Sequence, residues 1–99
     1  MNIGDAAGCL ESLGNDTRLS IFRALVRSGP DGLPVGRLQS RLKIPGSTLS
    51  HHIAHLVNHG LVSQNREGRV LKCVANYRRM NDLVGYLTKE CCSDVGGCP

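Results

Sequence analysis

The sequence predicts a small, mainly α-helical fold that carries one β-hairpin, and therefore an α+β domain. Apolar residues recur every three or four positions along five stretches, as they do on one face of a helix. Around Glu67-Gly68 the pattern changes to a shorter period, which is typical of two strands joined by a turn. The 99 residues are enough for one domain, and domains of this size often gain stability by oligomerising.

The first two helices are separated by a short polar turn. Residues 5–13 carry apolar side chains at helical spacing and predict a short first helix. Asp16 is the expected N-cap of a second helix over residues 17–28, which Gly29-Pro30 ends. Both helices should bury their apolar stripes against the rest of the domain.

Two more short helices follow a turn-rich stretch. Val35, Leu38 and Leu42 are spaced as on one face of a third helix, and Ile44-Pro45-Gly46 interrupts the chain. Ser47 is the expected N-cap of a fourth helix that runs to about His59. Gly60 follows it, where a glycine commonly ends a helix.

The remaining elements are a hairpin and a last helix. Residues 61–65 and 69–75 predict the two strands. A helix that starts near Asn81 should present Leu83, Val84, Leu87 and Cys91 along one stripe. Residues 1–92 then form the domain, and residues 93–99, with two glycines, form a flexible tail that contains a cysteine.

Two short helices joined by a tight turn and followed by a hairpin are the parts of a winged helix-turn-helix, whose second helix enters the major groove of DNA. Steps of about 100° around the fourth helix place its apolar residues together on one side. Thr48, His51 and His55 point away from that side, with Ser47 nearby and Ser50 and His52 at the flanks. These hydroxyls and imidazoles can bond to phosphates or base edges. The alternative is an ordinary solvated helix.

The turn of the hairpin carries two arginines. Arg66 and Arg69 lie on either side of Glu67-Gly68. Arginines at the tip of such a wing can reach phosphates or a narrow minor groove. The alternative is a solvated turn. Together with the outward face of the fourth helix, they predict binding to double-stranded DNA.

Composition excludes several other classes of protein. The formal charge of +4 and the isoelectric point of about 9.0 are compatible with a polyanionic partner, and three aromatic residues are too few for stacking on single strands. No segment is long and apolar enough to cross a membrane or to act as a signal peptide, so we expect a cytoplasmic protein. No catalytic motif or phosphate-binding loop is present, and we expect neither an enzyme nor a catalytic cofactor.

Three segments together carry a resemblance to a known family. They are LGNDTRLSIFRALV at 13–26, STLSHHIAHLVNHGLV at 47–62 and NREGR at 65–69. The chain resembles the ArsR/SmtB family of metal-responsive repressors over about residues 10–90. The resemblance implies a homodimer formed through the first and last helices, and repression of a resistance operon that metal binding relieves. It also assigns DNA reading to Ser47, Thr48, Ser50, His51 and His52, and wing contacts to Arg66 and Arg69.

The inducer site has to be read from the cysteines of this chain. The third helix lacks the C-x-C pair of one family site, and the last helix lacks the histidine of another. Cys91, Cys92 and Cys98 remain, and trivalent arsenic or antimony bonds to three thiolates in a pyramid. The tail resembles the arsenite site of a subgroup of the family with C-terminal cysteines. We therefore expect arsenite or antimonite to release the dimer from operator DNA.

The cysteines and histidines allow other interpretations. The adjacent cysteines could form a thiol redox sensor on the same scaffold, although a disulfide between neighbouring residues is strained. Zinc or cadmium would need a fourth ligand, for which Asp94 is the local candidate. Cys9 and Cys73 are interpreted as small buried apolar residues, and the four histidines as polar groups that face DNA or solvent. A small cysteine oxidoreductase is disfavoured because the chain has no C-x-x-C motif.

Overall fold

The structure of the chain, a computed structural model, describes residues 1–97 and contains five α-helices and a small antiparallel sheet within that range. In chain order the elements are α1 (Ile3–Leu13), α2 (Asp16–Ser28), β1 (Leu33–Pro34), α3 (Val35–Leu42), α4 (Gly46–Asn58), β2 (Val62–Glu67), β3 (Val70–Ala75), α5 (Tyr77–Thr88) and a 3-10 turn (Ser93–Val95). The predicted α+β fold of a winged helix-turn-helix is confirmed.

Helix starts differ from the predicted ones because side chains of asparagine, rather than the expected residues, act as caps. The side chain of Asn15 accepts the N–H of Arg18, so the prediction that Asp16 is the cap is wrong and Asp16 lies in the first turn of α2. Asn76 accepts the N–H of Arg79 in the same way and starts α5 four residues before the predicted Asn81. Each cap satisfies a backbone donor that the first helical turn leaves unpaired.

The fourth helix begins without a side-chain cap. Pro45 occupies the N-cap position of α4, and its carbonyl accepts the N–H of Leu49 at 2.9 Å. The prediction that Ser47 caps this helix is therefore wrong, and the Ser47 side chain is exposed on the first turn. Gly60 has a φ of +73° immediately after the helix, as the predicted helix end requires.

The sheet has three strands in the order β1-β3-β2, one more than the predicted hairpin. Leu33 pairs with Cys73 and Pro34 with Lys72, so β1 covers the open edge of β3. Gly32 makes this close approach feasible, because its φ is +69° and a Cβ there would collide with the backbone oxygen of Cys73. A strand of two residues that contains a proline has no periodicity from which it could be predicted.

One hydrophobic core lies between the helices and the sheet. Its fully buried side chains come from α2, α3, α4 and the start of the wing: Ile21, Leu25, Leu38, Leu49, Ile53, Leu56 and Leu61. Burying an aliphatic side chain of this size contributes about 1.5–3 kcal/mol. Cys9 and Cys73 are also buried in this core, in agreement with their interpretation as small apolar residues.

The first and last helices leave apolar side chains uncovered. Leu10 of α1 is 44% exposed, and Val84 and Leu87 of α5 are 55% and 57% exposed. The predicted stripe of α5 is therefore only partly buried, through Leu83. The stripe also does not extend to Cys91, because α5 ends at Thr88. Across residues 1–97, no helix combines the length and the apolar character needed to cross a membrane.

Candidate DNA-binding surface and cysteine site

A tight turn separates α4 from α3. Lys43 adopts the left-handed conformation, with a φ of +54°, and its N–H donates to the carbonyl of Gln39 at 2.8 Å. Pro45 then disfavours helical backbone in the residue before it, so the chain turns before α4 begins. The result is the helix-turn-helix that the sequence predicts over α3 and α4.

The first turn of α4 presents polar side chains to solvent. Leu49, Ile53 and Leu56 of this helix are buried in the core. The exposed residues of its first two turns are Ser47, Thr48, Ser50 and His51. All four carry groups that can donate or accept hydrogen bonds at a base edge or a phosphate. The structure thus brings four of the predicted DNA-reading residues onto one accessible surface.

Two of the predicted DNA-facing histidines instead lie against the neighbouring helices. Nδ1 of His55 is 2.9 Å from the hydroxyl of Ser12, a fully buried residue on α1. Nδ1 of His52 is 3.4 Å from Nη1 of Arg18, on α2, and both histidines are half-buried. The prediction that His55 points outward with Thr48 and His51 is therefore wrong. The helical angles alone do not show that α1 and α2 occupy this flank of α4.

The C-terminal half of α4 is held by contacts from α1 and α5. The rings of His55 and His59 stack with their centroids 4.9 Å apart. The carbonyl of His59 accepts two bonds, from Nε of Arg79 on α5 at 3.2 Å and from the thiol of Cys9 on α1 at 3.6 Å. Gly8 permits the close approach, since a Cβ there would come within 3.2 Å of the His59 ring. The end of α4 is thus coupled to both α1 and α5.

The surroundings of His52 and His55 favour the neutral imidazole. Burial lowers the pKa of His52 below its usual 6.5, and the positive charge of Arg18 adds to this effect. Burial also lowers the pKa of His55, with Arg18 next, while Glu11 acts weakly in the opposite direction. Because a guanidinium can only donate, Nδ1 of His52 has to act as the acceptor.

Sequence reasoning did not identify Ser12 and Arg18 as residues that support α4. Nε of Arg18 donates to the carbonyl of Ser12 at 2.7 Å, and the same arginine contacts His52. The sequence contains one indication of the role of Ser12. This polar residue lies three positions after Cys9, on the apolar stripe of the first helix. Buried polar side chains usually need a specific partner.

The wing carries both predicted arginines at its tip. Glu67 pairs with Val70 across the last rung of the hairpin, so Gly68 and Arg69 form the turn, and Gly68 has a φ of +61°. Arg66 and Arg69 are exposed. Glu67 forms an ion pair with Lys72 at 3.3 Å, which offsets its charge beside the two arginines. The tip therefore presents two cations to an approaching polyanion.

Charge is distributed unevenly along the chain. Residues 16–67, which run from the start of α2 through the helix-turn-helix to the end of β2, contain seven arginines and lysines and three carboxylates, Asp16, Asp31 and Glu67. The other carboxylates lie nearer the two ends of the chain. A net positive surface over this segment favours the approach of DNA.

The adjacent cysteines follow the end of α5. The Cys91 side chain is exposed, Cys92 is half-buried, and their sulfur atoms are 3.6 Å apart. Cys92 has a φ of +58°, and its carbonyl accepts the N–H of Gly97 at 2.8 Å, so the chain turns back on itself after the pair. Two thiolates at this separation can bind one soft ion. Cys98, the predicted third ligand, lies outside the described residues, and residues 1–97 hold no set of three ligands for a metal.

Comparisons with known proteins agree with this architecture. A family model described as a helix-turn-helix domain matches residues 13–65. The transcriptional activator HlyU of Vibrio cholerae serotype O1 is 30% identical over 91 residues, which make up 92% of this chain and 82% of that protein. The structure of HlyU from Vibrio cholerae N16961 matches with a TM-score of 0.70 at 30% identity, over 90% of this chain and 94% of the other.

A further solved structure is similar in fold. It is an ArsR-like transcriptional regulator from Rhodococcus sp. RHA1, with a TM-score of 0.74 at 22% identity, over 87% of this chain and 78% of that one. The fold and these relatives define a winged helix-turn-helix transcriptional regulator, which is a class of DNA-binding proteins and not of enzymes. The chain belongs to the helix-turn-helix domain family whose model matches residues 13–65, and it shares the fold of the ArsR-like regulator.

Proposed function

We propose that this protein is a cytoplasmic, metalloid-responsive transcriptional repressor. It binds operator DNA as a homodimer and dissociates when arsenite or antimonite binds Cys91, Cys92 and Cys98. The observation that carries the proposal is the pair of sulfur atoms 3.6 Å apart directly after α5. Trivalent arsenic takes three thiolates, and Cys98 lies one residue beyond the turn that brings Gly97 back to Cys92.

The proposed DNA contacts come from α4 and the wing. The first turn of α4 enters the major groove, where Ser47, Thr48, Ser50 and His51 meet base edges and phosphates. Arg66 and Arg69 bind phosphates beside that groove or in the adjacent minor groove. His52 and His55 do not meet the DNA in this proposal. Their bonds to α2 and α1 fix the orientation of α4.

The proposed dimer buries the apolar side chains that α1 and α5 leave exposed. Leu10, Val84 and Leu87 are each at least 44% exposed in the single chain. Covering them in a symmetric interface removes apolar surface from water. The two recognition helices of such a dimer would meet successive turns of the major groove, roughly 34 Å apart.

Coupling between the two sites runs through α5 in this proposal. The cysteines follow the C-terminal end of α5, and Arg79 near its other end donates to His59, the residue that ends α4. Metalloid binding orders the segment after α5 and changes how α5 packs in the dimer. The inducer then favours a pose of the two subunits that holds DNA less tightly.

The experiment is a gel-shift titration on the promoter of the protein's own operon with Cys91→Ser/Cys92→Ser. We expect the double variant to bind the DNA as the wild type does and to remain bound when arsenite is added. Cys73→Ser, which removes a buried thiol from β3, is the matched control and should still dissociate. Dissociation of the double variant with arsenite would contradict the assignment. A separate Cys98→Ser variant tests the third ligand.

A second candidate is a thiol redox sensor on the same fold. The two sulfur atoms at 3.6 Å are close enough to react with each other, and one solved relative is described as reduced HlyU from Vibrio cholerae, 31% identical to this chain. The bond formed would be strained, since it joins neighbouring residues. Release by peroxide without any release by arsenite would favour this candidate over the first. Release by zinc or cadmium alone would favour a site that includes Asp94.

A further inference from the structure

A cavity between α2 and α3 is separate from both the DNA-binding surface and the cysteine site. Its volume is about 500 Å³, and it is lined by Arg27, Ser28, Gly32, Leu33 and Arg41. Arg27 lies in the last turn of α2 and Arg41 in the last turn of α3, so the cavity lies where these two helices end. It contains none of the polar residues of α4, the wing arginines or the cysteines.

Charge is the distinctive property of this cavity. Within residues 1–97, neither arginine has a carboxylate at ion-pair distance. The ion pair in that part of the chain joins Lys72 and Glu67. Each guanidinium carries one positive charge, so the two arginines bring two positive charges to the cavity. The C-terminal end of each helix contributes roughly half a negative charge. The two helix ends together therefore offset about one of the two positive charges of the arginines. Asp31 in the adjoining turn lowers the net positive charge further, but it is not a lining residue and forms no ion pair with either arginine.

The hydrogen-bonding groups also favour an anion. The hydroxyl of Ser28 already donates to the carbonyl of Leu25 at 2.8 Å, and the N–H of Gly32 donates to the carbonyl of Gly29 at 3.1 Å. The side-chain donors that remain among the lining residues are the two guanidinium groups, whose planar geometry matches the oxygens of a phosphate. The volume is larger than one phosphate group needs, which leaves room for the rest of a phosphorylated molecule.

We propose that this cavity is a phosphate-binding site formed by Arg27 and Arg41. The phosphate joins the end of α2 to the end of α3 and so stiffens the helix-turn-helix ahead of α4. The same chemistry can come from two sources, the backbone of the bound DNA or a free phosphorylated metabolite. If the phosphate belongs to the DNA, the two arginines contribute to DNA affinity. If it belongs to a free metabolite, they do not.

The first arm of the test measures the melting temperature in inorganic phosphate, against chloride at equal ionic strength. We expect a rise of about 7 °C once phosphate exceeds its dissociation constant roughly tenfold. Arg27→Gln and Arg41→Gln should each abolish the rise. Arg23→Gln and Arg37→Gln are matched controls, because each removes an exposed arginine four residues earlier on the same helix and outside the cavity.

The second arm measures how operator affinity depends on salt. If DNA supplies the phosphate, Arg27→Gln/Arg41→Gln lowers the slope of log affinity against log salt by about 0.9 for each phosphate lost, and Arg23→Gln does not. If a free molecule supplies it, the slope is unchanged while the thermal response to phosphate disappears. The proposal is overturned if the cavity variants keep both the thermal response and the slope. It is equally overturned if the control variants lose as much of the thermal response.

Discussion

Removing the two wing arginines should reduce the salt dependence of operator binding by an amount that follows from the structure. Arg66 and Arg69 are both exposed, and the neighbouring carboxylate, Glu67, is already paired with Lys72. Each arginine that neutralises one phosphate contributes about 0.9 to the slope of log affinity against log salt, so Arg66→Gln/Arg69→Gln removes about 1.8 per subunit and about 3.6 per dimer. When salt rises from about 50 to 200 mM, the affinity of both proteins falls. The factor by which it falls should be about 150 times smaller for the variant than for the wild type.

Fluorescence anisotropy with a labelled operator duplex at four or five salt concentrations measures both slopes. The control is Arg23→Gln, which removes an exposed arginine of α2 outside the wing and should leave the slope within experimental error. Equal slopes for the wing variant and the wild type would refute the assignment of these arginines to phosphates. A loss of affinity that is the same at every salt concentration would also refute it, because it would indicate a structural effect on the wing.

Three further predictions concern stability. Leu56→Ala removes a fully buried side chain of α4 and should lower the free energy of unfolding by about 2–5 kcal/mol in urea titrations; a loss under about 1 kcal/mol would contradict the core described here. The lowered pKa values of His52 and His55 mean that the unfolded chain binds protons first, so stability should fall as the pH falls through 6.5 and level off below the folded-state values. His52→Gln/His55→Gln should flatten that profile, and an unchanged profile would exclude these histidines as its cause. Gly32→Ala should lower the free energy of unfolding, measured by thermal melting, by about 1–3 kcal/mol. Gly36→Ala, where a Cβ would meet open space, should not lower it. Equal losses for the two variants would contradict the close approach at Gly32.

Periodicity in the sequence was enough to predict the five helices and the hairpin, because each helix buries at least part of its apolar stripe in the same core. The buried side of α4, with Leu49, Ile53 and Leu56, follows from that pattern alone. The exposed serines, Thr48 and His51 on its first turn follow from it too. These features depend on spacing within one element, which is what a sequence displays most directly.

Features that depend on contacts between elements were not predictable in this way. His55 lies on the polar half of the helical wheel, yet Ser12 from a distant part of the chain binds its ring. The early start of α5 brings the hydroxyl of Tyr77 to the carbonyls of Leu25 and Val26, and no local signal marks that contact. The early end of α5 at Thr88 leaves Cys91 outside the helix, and Glu90 follows with a φ of +57°.

In the proposed mechanism, binding of a metalloid by the C-terminal thiols weakens the binding of the dimer to DNA. The most direct measurement is the operator dissociation constant of the wild-type protein with and without saturating arsenite, together with the arsenite dissociation constant of the free protein and of its operator complex. We expect arsenite to weaken operator binding and DNA to weaken arsenite binding by the same factor, as linkage requires. Operator binding that does not change at saturating arsenite would contradict it.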